Sequence, residues 1–165
     1  MPIVAPFLAW LEATPWAIGI KTSGYLFPLI ESLHVIGLTL VFGTIVIIDL
    51  RLLGIASSRR PFRKIASDVL KWTWAAFALS VVTGSLMFIT NAASYYHNPY
   101  FRIKMALLAL SAVNMLIFEL TVGRSVHVWE QDSIAPLPGR AAAACSLLLW
   151  VGVIFCGRWI GFTTL

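Results

Sequence analysis

Four stretches of this chain are predominantly apolar over about 20 residues or more. They run from about Leu26 to Leu50, Val69 to Ile89, Phe101 to Val122 and Ala141 to Phe162. A hydrocarbon core about 30 Å thick needs roughly 20 such residues in a helix, so each stretch is long enough to cross. The pattern predicts an all-α fold, a four-transmembrane-helix bundle. The links are short, so sequence neighbours should run antiparallel. Ahead of the first span, Phe7, Leu8, Trp10 and Leu11 form an apolar stretch too short to cross. Thr14-Pro15 then reads as an N-cap followed by proline at the first helical position. Residues from about 4 to 21 are expected as helical turns on the membrane surface. Pro136-Leu137-Pro138-Gly139 is expected as a loop launching the last helix. No internal repeat stands out, and residues 1–165 read as a single integral membrane domain.

Composition strengthens this picture. Hydrophobic residues make up 59% of the chain and charged residues 12%, against roughly 25% charged in a soluble domain. The net charge of +5 is distributed as topology, not as a nucleic-acid footprint. The first link carries Arg51, Arg59, Arg60, Arg63, Lys64 and Lys71, whereas the link from Asn91 to Tyr100 has no Lys or Arg. The third link holds Arg124 and Arg140 with Glu130 and Asp132. The positive-inside bias places the first and third links in the cytoplasm. Met1 and Leu165 are then both on the outer, periplasmic side of a bacterial inner membrane. Trp72, Trp74 and Trp129 are expected at the inner interface, and Tyr95, Tyr96, Tyr100 and Trp159 at the outer one. The start lacks the charged n-region of a cleavable signal peptide, so the first span is expected to serve as its own signal. Cys145 and Cys156 stand eleven positions apart, about 16 Å along a helix. That is too far for an internal bridge, and both are expected as buried apolar thiols.

Ionisable residues inside a bilayer are expensive and call for a reason. At 1.5 Å per residue, Glu31, Lys104 and Arg158 fall roughly 5–8 Å inside the outer boundary, with His34 one turn deeper. Glu31 and His34 are spaced i, i+3 and are expected on one helix face. If these faces meet, an acid, an imidazole and two cations share a polar site, with His97 able to reach over it. The alternative is a structural network in which Glu31 pairs with Lys104 or Arg158. Asp49, Arg51, Glu119 and Arg124 gather at the inner boundary, where an anchoring ion-pair cluster is expected. Asn114 is expected to bond to another helix, and Gly37, Gly43 and Gly84 to permit close helix contact.

The residues present restrict the chemistry. Only His34 of the three histidines lies within a span, and His127 lies beyond the opposite end of the third. A bis-histidine haem therefore fails unless His97 folds inward, while a single-histidine haem remains open. Glu31, His34 and His97 could instead hold copper through nitrogen and oxygen donors. Met87 and Met105 are isolated, and Cys-x-x-Cys is absent. No nucleophile elbow or phosphate-cradling glycine loop appears. A channel or transporter would need polar helix faces or broken helices, or a homo-oligomer.

Several runs carry a resemblance. They are Glu-Ser-Leu-His-Val-Ile-Gly-Leu at 31–38, Asp-Leu-Arg-Leu-Leu-Gly at 49–54, Asn-Pro-Tyr-Phe-Arg-Ile-Lys at 98–104 and Gly-Arg-Trp-Ile at 157–160. Together they resemble an uncharacterised family of small four-helix bacterial membrane proteins over nearly the whole chain. More distantly, His-x-x-Gly and Phe-x-x-Lys look like CopD-type copper-resistance domains and HemJ-type protoporphyrinogen oxidases. The second likeness implies His34 as a haem axial ligand and Lys104 as a partner of cofactor or substrate. Glu119 stands where a second histidine would complete that pattern, and the helix count matches CopD-type domains only in part.

Three readings follow. The first is a haem-binding or redox-linked membrane protein centred on His34, with Glu31, Lys104 and Arg158 around the cofactor. The second is a copper- or other metal-handling protein using His34 and His97 with Glu31. The third is a non-catalytic accessory or scaffold subunit. The implied partners are the lipid bilayer and, in the third reading, a larger membrane complex; a homo-oligomer stays open, and nucleic acid is not among them.

Overall fold

The computed structural model describes residues 4–56, 61–129, 132 and 134–163. Arg59 and Arg60 of the basic link, Glu130 of the third link and the residues at both chain ends lie outside this set. The described elements are helical: α1 (Val4–Glu12), α2 (Pro15–Thr22), α3 (Leu26–Leu52), α4 (Phe62–Thr90), α5 (Ala92–His97), α6 (Pro99–Leu120), a 3-10 turn (Gly123–Ser125), α7 (Val126–Trp129) and α8 (Leu137–Thr163). The helices α3, α4, α6 and α8 are long and apolar enough to cross a membrane. The chain is thus an all-α, multi-pass membrane protein.

Local chemistry sets where the helices begin and end. The Thr14 hydroxyl accepts from the Ala17 amide at 3.4 Å, with Pro15 at the first helical position. Asn98-Pro99 repeats the device: Asn98 Oδ1 accepts from the Tyr100 and Phe101 amides at 2.9 and 3.3 Å. The helix α3 closes on Gly54, whose φ of 75° suits a residue without a side chain. There the Ile55 amide bonds the Leu50 carbonyl and the Gly54 amide bonds that of Arg51, a Schellman ending. Two boundaries differ from expectation. The last helix takes in Leu137, Pro138 and Gly139, since proline is tolerated in a first turn. The expected outer loop contains α5, whose Ala93 amide donates to Glu12 Oε1 of α1 at 2.8 Å.

Contacts across the bundle fix the antiparallel order. His34 meets Thr83, Asn98 meets Thr163 and Asn114 meets Ala142. Backbone packing is closest for α3 on α4 and α6 on α8, with α3 against α8 joining the pairs. The α4 and α6 helices meet through rings at both ends, Phe88 on Phe101 and Phe62 on Phe118. The short helices α1, α2 and α5 cover the end where α3 starts, the capped end; the opposite end, which bears the charged links, is the basic end. A mid-bundle core of Val41, Ala76, Trp150 and Val153 is followed at the basic end by Leu52, Phe62, Val122, Trp129, Ala135 and Ala143.

Close approach explains Gly37: a Cβ there would lie 2.6 Å from Ser80 Oγ and 3.3 Å from the Ala76 carbonyl oxygen. Gly43, expected to do the same, has nothing within 4 Å. Trp72 and Trp74 are exposed as an interfacial belt requires, but Trp129 is buried. Its ring packs on Phe62 and its Nε1 donates to the Val122 carbonyl at 3.4 Å, so it is a core residue. Cys156 is buried, whereas Cys145 is exposed on the apolar exterior.

Candidate functional site

The polar residues of the capped half do not all converge. His34 lies half-buried between α3 and α4, where its Nδ1 is 3.0 Å from Thr83 Oγ1. Thr83 gives its single hydroxyl proton to the Leu79 carbonyl at 2.7 Å. It therefore accepts from His34, and Nδ1 carries the ring proton. In the neutral imidazole this leaves the lone pair on Nε2. The ring lies over Gly84, where a Cβ would come within 2.9 Å of His34 Cε1. A glycine is needed there because any side chain would push the imidazole off Thr83.

Lys104 of α6 is the second member. Its charge acts on His34, and its Nζ lies 3.7 Å from where a Cβ on Gly157 would stand. The Cys156 thiol is close enough to interact with it electrostatically. The site thus draws His34 from α3, Thr83 and Gly84 from α4, Lys104 from α6 and Cys156 and Gly157 from α8. Every spanning helix contributes.

Glu31, Arg158 and His97 stand apart. Glu31 is exposed and makes no ion pair with Lys104 or Arg158 among the described residues. Its carboxylate acts instead on Tyr95 of α5: burial first, and Glu31 after it, hold the Tyr95 phenol above its ordinary pKa. Arg158 is exposed and sits 5.0 Å over the Phe162 ring. The ring Nδ1 of His97 bonds the Ala93 carbonyl at 2.8 Å. Among the described residues, no three His, Cys, Asp or Glu side chains lie close enough to hold a metal ion together.

The more deeply buried charges are at the basic end. Asp49 is 5% exposed and Arg51 0%. Ser146 of α8 lies close enough to the Asp49 carboxyl to act on it, and Arg51 Nη2 donates to the Asp132 carbonyl at 2.8 Å. Two positions apart on a helix, the side chains point about 160° apart, so they serve different neighbours.

The comparisons place this bundle in a family. A model described as a family of unknown function, DUF6644, matches residues 7–163. The chain belongs to that family. No curated protein and no solved structure matches it. The match spans all four long helices of the DUF6644 chain and α2, so the His34 site lies wholly inside it. For a haem, the donor set would offer one histidine nitrogen inside the bundle, His34 Nε2. It does not offer two, because His97 is bonded away and His127 lies at the basic end.

Proposed function

We propose that this membrane protein is redox-linked and binds haem b in its capped half, with His34 as the single axial ligand. The observation that carries this reading is the fixed imidazole. Histidines that bind metal ordinarily donate their other ring N–H to an acceptor, which orients the ring and sets the tautomer. His34 has that arrangement through Thr83, and Gly84 makes room for the ring itself. Lys104 adds a cation on the same level, suited to a cofactor carboxylate or to carrying a proton. Bound haem would supply one-electron chemistry at iron. With the basic links in the cytoplasm of a bacterial inner membrane, the site lies in the periplasmic half and both chain ends are outside.

A second reading, an accessory or scaffold subunit, has its own observation. Asn114 Nδ2 donates to the Ala142 carbonyl at 3.0 Å, as polar glue between membrane helices does. His34 on Thr83 would be one more such strut. The copper reading lacks an equivalent, since Glu31, His34 and His97 are not gathered. Absorption of protein purified from haem-replete cells separates the two. The haem reading expects a Soret band that His34→Ala removes and His97→Ala leaves. A colourless wild type with His34→Ala altering only stability would establish the scaffold reading.

A further inference from the structure

At the basic end, away from His34, a cavity of about 350 Å³ opens between the start of α4, the end of α6 and the turn that follows. Its rim carries Arg63, Arg124, His127 and Glu119, and its floor includes Phe62 and Phe118. None of the four rim side chains has a hydrogen bond or ion pair among the described residues. All four are exposed, so the rim is open to a ligand of matching charge. The cavity lies at the basic end of two spans, where lipid headgroups are expected.

We propose that this cavity binds the headgroup of an aminophospholipid. Arg63 and Arg124 take the phosphodiester, and Glu119 takes the ammonium. The charges are complementary in sign: two guanidiniums face the single phosphate charge and one carboxylate faces the ammonium. Guanidinium suits phosphate because its planar fork donates two parallel bonds. His127 supplies a further donor at the rim. Phe62 and Phe118 offer an apolar surface under the glycerol. Basic pockets between spanning helices bind lipid headgroups, and the volume lies in the range of about 300–1,000 Å³ typical of small-molecule sites. A free phosphate would use the two arginines but not Glu119.

Native mass spectrometry of the full chain, released from nanodiscs of mixed phosphatidylethanolamine and phosphatidylglycerol, tests this. One phosphatidylethanolamine should be retained per chain. Removing both charge-assisted contacts in Arg63→Ala/Arg124→Ala should lower retention about tenfold or more, while Lys71→Ala, outside the cavity, should not. Glu119→Gln should keep a bound lipid but erase the preference for ethanolamine over glycerol. It serves as the test if the double variant fails to fold. Retention unchanged in the double variant would overturn the proposal. So would an unchanged preference in Glu119→Gln, or displacement of the lipid by millimolar inorganic phosphate.

Discussion

The two ends of this bundle hold ionisable residues by different means. At the basic end, Asp49 and Arg51 are buried, and Arg51 is bonded across elements to the Asp132 carbonyl. At the capped end, His34 and Lys104 are only half-buried, and the acid and the second cation expected beside them face outward. A buried charge whose bond is removed costs several kcal/mol, so the basic end is built for rigidity. The capped end keeps one imidazole fixed on Thr83, and a lysine without an ion pair among the described residues. Burial depth thus separates the residues that hold the bundle from those that could work in it.

The largest test of that contrast is Arg51→Ala. It vacates a fully buried side chain and leaves the Asp132 carbonyl without its guanidinium donor, at a cost of about 3 kcal/mol or more. Thermal melts in detergent should show the greatest loss here. An effect no larger than that of Glu31→Ala would dissolve the difference between the ends. Gly84→Ala should do the reverse. The new methyl displaces His34 from Thr83 and should cost about 1–3 kcal/mol, yet abolish cofactor absorption. Loss of the fold together with the colour would show that the ring is a strut, not a ligand.

The smallest effect lies in Tyr95. Its phenol is raised by burial and then by Glu31. The folded state therefore holds its proton longer than the unfolded chain does. Stability is present below the ordinary phenol value of about 10 and declines as pH climbs from there through the folded value. Glu31→Gln should lower the phenol midpoint, as read from phenolate absorbance. An unmoved midpoint would mean that Glu31 does not act on Tyr95.

Much of this fold was legible in the sequence because a bilayer allows few solutions. Apolar length locates spanning helices, and Thr14-Pro15 marks the start of α2. Of the three glycines read as contact points, Gly37 and Gly84 are such and Gly43 is not. Depth was readable as well, because rise per residue is fixed. Rotation about the axis was not. Glu31 and His34, three positions apart, differ by about 60° around the helix, enough to leave one exposed and the other inside. Thr83 was missed because a lone threonine in an apolar span looks like any β-branched residue until its partner is known. Trp129 was misplaced because belt and core tryptophans share the same sequence position at a span end. The Gly123–Ser125 turn and α7 bring its ring onto Phe62.

Haem ligation through His34 Nε2 is tested by the reduced-minus-oxidised absorption spectrum of the purified wild-type protein, with iron and copper assayed on the same sample. A b-type difference spectrum is expected, with iron near one equivalent per chain by single-site binding, and loss of both in His34→Ala. A featureless spectrum without iron from haem-replete cells would contradict it.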